Sequence, residues 1–429
     1  MARGSINVGG GIKLQGIEKK FKVAEGQTLK RGQYVDIEEV ISNTTQTLIN
    51  NGSTYKQKAI PLTDNKFILI WSNASTFYLY GRLYTIDKTG AVQALCNTVL
   101  ISSRRATVFD ATYCNSKVIV AADVPSPSNR SVNTFLIDVS NDTISVQHEL
   151  NLNISYCQTI SIETTDSNKV FLVCTSSNAG LCKLLNVAND TITVLASNSL
   201  GGSFGYGVMQ TKIGNNTHFI VGVYRLNTSS PGYLYGAFAT ISGNDFTLTS
   251  ISNSIAVNSS GFHITEDYSA VTLDTNKVAI TVRTTSSQQT VWVYRLDPGN
   301  NSAQAISLTI PTLLLDSCLS RHNGNTFVLS CFNGANTGGI DCYVIEENTS
   351  MLNIKHSRRI TAYDTSNISQ CNIINLTLLT YVNSSDSDFT YSCTIDAAPK
   401  VTKALTQANI KGVAMSVGSA GDTIEINTL

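Results

Sequence analysis

Charge is what this sequence most lacks. Asp, Glu, Lys and Arg make up 14% of its 429 residues, against roughly 25% in ordinary globular chains. The two signs balance at 30 each, so no basic field gathers nucleic acid or anionic lipid. Proline (7), methionine (4), tryptophan (2) and histidine (5) are also scarce. No stretch reaches the roughly 18 consecutive apolar residues that mark a membrane-spanning helix. The opening MARGSINVGGGIKLQGIEKKF holds no continuous apolar segment, so it does not read as a secretory signal, and synthesis in the cytoplasm is expected. The ten cysteines follow neither CxxC nor Cys/His zinc spacing. No metal or cofactor is therefore expected, and neither nucleic acid nor membrane is an expected partner.

Apolar residues are nonetheless 42% of the chain, enough for a core. Ser, Thr and Asn take the place of charge, which suits strands and turns better than helices. N-x-S/T triplets, for instance at Asn43, Asn73, Asn153, Asn227 and Asn375, follow from that composition and do not by themselves mark glycosylation. The length exceeds what one ordinary core serves, so two domains or a repeat array is expected.

The repeat is written into the text. Residues 166–173 read DSNKVFLV and residues 274–281 read DTNKVAIT. Aligning on the first apolar residue after such a turn gives seven anchors: Phe67, Val118, Val170, Phe219, Val278, Phe327 and Leu376. The steps are 51, 52, 49, 59, 49 and 49 residues. The unit around Val170 resolves into four strands: TISIETT (159–165), KVFLVCTS (169–176), LCKLLNV (181–187) and TITVLAS (191–197), separated by DSN, SNAG and AND. Asp, Asn and Gly favour such turns, and β-branched and aromatic residues favour the strands. Four strands per unit of about 50 residues predict a seven-bladed β-propeller over 46–397, whose closure protects the sheet edges that separate sheets would expose. A β-sandwich or β-helix series is the rival architecture. The last unit lacks a fourth strand after FTYSCTID (389–396), while VISNTTQTLIN (40–50) is unassigned, so part of 40–50 is predicted to complete the last blade.

The two ends are each too short for a core of their own. Residues 32–37 (GQYVDI) and 421–426 (GDTIEI) both read as Gly turns followed by short alternating strands. A closed ring brings its ends together, so 1–45 and 398–429 are predicted to form one small split β-barrel with the propeller inserted. The motifs at Gly32 to Val35, Gly412 to Ala414 and Ala420 to Ile426 resemble those of small bacteriophage capsid-decoration barrels. They are also similar to motifs of prophage-encoded virion proteins of gut Firmicutes. The resemblance covers about 50 residues. It implies a virion surface protein whose barrel docks on another capsid or tail protein and whose propeller is displayed. Gly9 to Gly11 would suit a tether to a neighbour.

The residues that could carry chemistry read first as structural. No sialidase-type Asp box recurs, and the turn Asp residues read as turn formers. His148, His218, His263, His322 and His356 fall in different units without metal-binding spacing, and His218 occupies a repeat position held elsewhere by Lys. Arg321 and His322, with Asp316 nearby, read as a solvated turn. The stretch LGGSFGYG (200–207) is no phosphate cradle and reads as a loop, with Phe204 and Tyr206 the sharper alternative of a sugar platform. The tyrosines of the two VYRL segments (223–226 and 293–296) read as packing between blades. Cys174 with Cys182, and Cys331 with Cys342, face across presumed hairpins; a cytosolically assembled virion implies thiols, oxidising surroundings a disulfide.

No catalytic, cofactor or metal residue is assigned. The expectation is a non-enzymatic virion protein of the capsid-decoration or head-fibre type, located on the virion surface, with other virion proteins and host-surface or mucosal glycans as partners. A phage tail fibre or receptor-binding protein is one alternative and a propeller glycan hydrolase another. The sequence sets no oligomeric state.

Overall fold

Each repeat anchor sits at the start of a strand, and each of those strands is second in a four-stranded sheet. The computed structural model describes residues 5–428 except for short stretches, the longest being 226–231, 334–338 and 404–411. The second strands are Lys66–Asn73, Lys117–Pro125, Lys169–Ser176, Thr217–Arg225, Lys277–Thr285, Thr326–Asn333 and Leu376–Asn383. The protein is all-β, a seven-bladed propeller of four-stranded antiparallel blades. The four strands read in the third unit are all present, with ends shifted by up to four residues: Cys157–Thr164, Lys169–Ser176, Ala179–Ala188 and Thr191–Gly201. Blades one and four split their outer strand in two: Val92–Ala94 with Val99–Ser102, and Asp245–Ser250 with Ala256–Asn258.

The seventh blade is completed from the other end of the chain. Ser42–Ile49 pairs as its outermost strand, beside Asp386–Asp396. The Tyr84 hydroxyl of the first blade donates to the Leu48 carbonyl at 3.1 Å, holding that closing strand from the other side.

The second strands are mostly apolar, with a few buried Ser and Thr, because both of their faces are buried, and side chains alternate between faces along a strand. Val170 and Leu172 pack towards the second blade with Ile119 and Leu136. Their neighbours Phe171 and Val173 pack towards the fourth with Ile220 and Ala237. The same interleaving joins Phe219 and Val221 to Val278 and Ile280, and Phe67 and Leu69 to Leu376 and Leu378 across the closure. Burying one such side chain is worth about 1.5–3 kcal/mol.

The recurrent Asn-Lys turn has a structural job. The carbonyls of Asn65, Asn168, Asn216, Asn276 and Asn325 accept from Ile86, Val187, Ile241, Leu296 and Glu347 of the third strand in their own blades. The lysine that follows reaches the next blade. Lys66 pairs with Asp142 at 2.5 Å, Lys117 with Asp190 at 2.9 Å, and Lys277 with Glu347 at 2.8 Å. Lys169 donates to the Gly243 carbonyl.

The chain divides into two compact units, Met1–Asn43 with Asp87–Ala91 and Ile395–Leu429, and Thr44–Ile86 with Val92–Thr394. In the first, five short strands pair in a closed order: Glu18–Val23, Lys400–Lys403, Tyr34–Glu38, Gly412–Ala414 and Thr423–Thr428. Glu18–Val23 and Lys400–Lys403 run parallel and the other neighbours antiparallel. Val23, Leu29, Ala414 and Ile426 are buried there. Gly9 to Gly11 lie outside the described residues. Among the described residues no helix is long and apolar enough to cross a membrane.

Candidate functional site

A cavity of about 720 Å³ is lined by the first strand of every blade, from Lys56 to Pro61 round to Ile368 to Cys371. A first strand has a sheet neighbour on one side only, so its other edge presents backbone groups that need partners. Here they are met by side chains of the preceding blade. Thr159 Oγ1 accepts from Val208 N at 3.0 Å, Ser161 Oγ from Gln210 N at 3.3 Å and Glu163 Oε2 from Lys212 N at 2.7 Å. The three acceptors are alternate residues of one strand and so share one face. Asp110 Oδ2 accepts from Ile162 N at 3.0 Å, Ser269 Oγ from Leu319 N at 3.2 Å, and Ser369 Oγ from Ala59 N at 3.0 Å across the closure.

Four charged residues line this wall, Lys56, Lys58, Asp110 and Glu163. Lys58 Nζ pairs with Asp110 Oδ1 at 2.8 Å. Burial alone would depress the Lys58 ammonium, but the Asp110 carboxylate outweighs it and the net shift is upward. Glu163 is pushed up to about 7, chiefly by burial; the Lys212 amide and the Lys58 and Lys212 charges oppose this, while Asp110 adds to it. His218 Nδ1 lies 4.0 Å from Glu163 Oε2. Among the described residues no group of three or more His, Cys, Asp and Glu is arranged to hold a metal ion.

Around this channel the propeller has two faces. In an antiparallel meander, the turns joining strands one to two and three to four leave one face. The turns joining two to three, and the crossings to the next blade, leave the other. The second face carries two stacks of a guanidinium on an aromatic ring. Arg105 lies over Phe77 at 4.3 Å, and Phe77 meets Tyr55 edge-on at 4.9 Å. Arg130 lies over Tyr156 at 4.9 Å, donates to Thr107 Oγ1 at 3.0 Å and pairs with the buried Asp123 at 2.6 Å. Arg104 pairs with Glu149. Phe77 and Tyr156 have φ of 60° and 41°, which bulky residues rarely adopt.

Several sequence expectations change here. Phe204 is no platform: it is 2% exposed, and a Cβ on Gly222 would lie 2.1 Å from its ring. The glycines of neighbouring strands make room for it as a plug between blades three and four, while Tyr206 lies outside the described residues. Arg321 and His322 belong to the strand Leu314–Asn323 and not to a turn; the Asp316 side chain lies outside the described residues. Cys174 and Cys182 cannot bridge as a hairpin pair, because Cys182 stands opposite Val173 and the two thiols point to opposite faces. Cys342 likewise stands opposite Ser330, not Cys331. None of the ten cysteines is in a disulfide, and the Cys157 and Cys174 thiols meet.

The histidines are not brought together. His148 Nδ1 accepts from Ile192 N at 3.2 Å. His218 is fully buried beside Phe171. His322 and His356 are half-buried in blade six, and the His263 side chain lies outside the described residues. Tyr294 is buried against Phe219 across a blade interface, whereas the Tyr224 side chain lies outside the described residues. Sequence reasoning did not find the Lys58–Asp110–Glu163 wall. Its only trace was polar residues alternating with apolar ones in the first strands.

No protein-family model and no curated protein matches the chain. Solved structures do. The chain is similar to a Kuenenia stuttgartiensis hydrazine synthase chain at 11% identity and a TM-score of 0.50, covering 80% of this chain and 96% of that one. It is similar to a chain of S. cerevisiae core factor at 9% identity and a TM-score of 0.51, over 87% of this chain; it spans 64% of that chain's length. The Dos1 propeller aligns at 14% identity and a TM-score of 0.45, over 92% and 96% of the two chains. At such identities the likeness is one of fold alone.

Proposed function

We propose that this protein is a non-enzymatic bacteriophage virion surface protein in which a split terminal barrel anchors the chain and the inserted propeller serves adhesion. The observation that carries the reading is the pairing of the two chain ends. Glu18–Val23 runs antiparallel to Thr423–Thr428, and Tyr34–Glu38 antiparallel to Lys400–Lys403. A mount made of both ends holds the long segment between them by two covalent connections, which suits display. The virion assignment draws on the terminal motifs, whose described residues, Gln33 apart, fall in paired strands at Tyr34–Glu38, Gly412–Ala414 and Thr423–Thr428.

The test is location on a particle. Antibody raised against the full chain is expected to label intact virions purified from a lysate of the host that carries the gene, on the capsid for a decoration protein or on the tail for a fibre. Absence of the chain from purified particles, by labelling and by peptide mass spectrometry, overturns the reading.

One observation favours a second reading, a glycan hydrolase on the propeller. Two carboxylates, Asp110 and Glu163, line the same cavity, and one of them is pushed up to about 7 as a general acid requires. Both are also engaged with backbone amides of the following blade. Release of reducing sugar by the purified chain, lost in both Asp110→Asn and Glu163→Gln, would favour the enzyme.

A further inference from the structure

Two of the residues in left-handed backbone conformation are aromatic, and both carry an arginine over the ring on the same face of the propeller. We propose that this face, built around Tyr55, Phe77, Arg105 and Tyr156, is a binding site for saccharides bearing a carboxylate, such as sialic or uronic acids. The inference deepens the adhesive part of the proposed function and rests on it for its biological use. Its geometry is independent of any virion.

The patch is continuous through direct contacts. Tyr55 touches Phe77 and Phe77 touches Arg105. Ala106 N donates to the Phe77 carbonyl at 2.8 Å. Thr107 accepts from Arg130, which covers Tyr156. The segment 104–108 is the crossing from blade one to blade two, and it ties both stacks together. Tyr55 is 36% exposed and Tyr156 50% exposed.

The charges do not cancel. Arg130 is spent on Asp123 and Arg104 on Glu149. Arg105 is exposed, and among the described residues no carboxylate or carbonyl accepts from it. Three guanidiniums against two carboxylates leave one positive charge, at Arg105, on a chain whose net charge is zero. A guanidinium resting on a ring keeps its N–H donors directed sideways, which is the geometry for a bidentate carboxylate.

The backbone supports the same assignment. Left-handed positions are cheap for Gly, Asn or Asp and strained for aromatic residues. Phe77 and Tyr156 hold rings where a strain-free choice would leave none. A sugar offers an apolar C–H face to such rings and brings its own hydroxyls. An acidic peptide would need a free strand edge or a side-chain pocket. The first-strand amides that would pair with it are among those already capped by side chains.

The full-length chain is tested by titration calorimetry against sialyllactose, trigalacturonate, neutral lactose and a Glu-rich hexapeptide. Both acidic sugars are expected to bind at least about tenfold more tightly than lactose, a preference that Arg105→Gln removes. Phe77→Asn, which keeps the left-handed backbone and deletes the ring, is expected to weaken binding about threefold or more without lowering the melting temperature. Lys117→Gln, on the opposite face, is expected to change nothing. Equal binding of acidic and neutral sugars, unchanged binding in Arg105→Gln and Phe77→Asn, or peptide binding as tight as sugar binding each overturns the proposal. Binding by the purified chain with no label on particles would remove the virion reading and keep this site. Labelled particles with no acid preference would do the reverse.

Discussion

The two faces of the propeller solve the same problem, reversing the chain, at different cost. On the face of the one-to-two and three-to-four turns, the left-handed positions are Asn115, Ser116, Asn141, Asp142, Asn189, Asp190, Asn216, Asn276 and Asn301 among others. All but Ser116 are residue types that tolerate this conformation cheaply. Lysines there staple one blade to the next. On the other face the same backbone state is occupied by Phe77 and Tyr156 as well as by Asn153, Gly201 and Gly339, and the cations lie on rings. The first face is built for closure. The second keeps strain and exposed aromatic surface that closure does not need, which is the usual mark of a recognition surface.

Mutations can break this contrast. The largest effect is expected on the stapled face, at Glu347, whose side chain is 1% exposed and pairs with Lys277 and Arg295. Burial pushes its carboxyl up, but the two cations outweigh it and hold it below the usual range. Glu347→Ala should cost about 2–4 kcal/mol in urea unfolding, since a partner cation stays behind. A depressed folded pKa means stability present above the unfolded value and lost as pH falls through the folded one. The wild type should therefore weaken in acid through this group, and the variant should not.

Next comes the seam under the recognition face. Gly222→Ala places a Cβ against the Phe204 ring and should destabilise by about 1–3 kcal/mol. Phe204→Leu in the same chain should recover part of that loss, and additive losses in the double variant would refute the contact. Exchanging the faces' turn chemistry is a smaller and sharper test. Asn276→Phe, at φ 58°, should cost about 1–2 kcal/mol. Phe77→Asn should cost nothing or gain up to about 1 kcal/mol, read as a rise in the denaturant midpoint.

The channel gives the subtlest signal. Glu163 has a raised pKa, so its contribution is present at low pH and lost as pH rises from the ordinary carboxylate range through about 7. Glu163→Gln, which keeps an acceptor for Lys212 N, should flatten the stability profile between these limits. An unchanged profile would mean that another group titrates there.

Much of this architecture was legible in the chain because it repeats. The anchors from Phe67 to Leu376 coincide with second strands, whose two buried faces demand a mostly apolar run that a reader can see. The closing role of 40–50 was legible by subtraction, since one blade lacked a strand and one stretch lacked a blade. The candidate sites were not. Asp110 and Glu163 lie on different blades, 53 residues apart by number, and nothing local marks either as a channel residue. Arg105 and Phe77 meet only because a crossing passes over a neighbouring loop. Phe204 looked like an exposed ring in a Gly-rich loop, and only the space above Gly180 and Gly222 explains its burial.

The amino-acid order by itself determined the blade count, the strand type and the turn positions, because periodicity and turn chemistry are local properties repeated seven times. The tertiary structure alone decided which polar side chains cap which amides, which thiols face each other and which arginine is left without a carboxylate. Those outcomes depend on contacts between residues from 17 to some 50 positions apart, and a short-range pattern carries no record of distance through space.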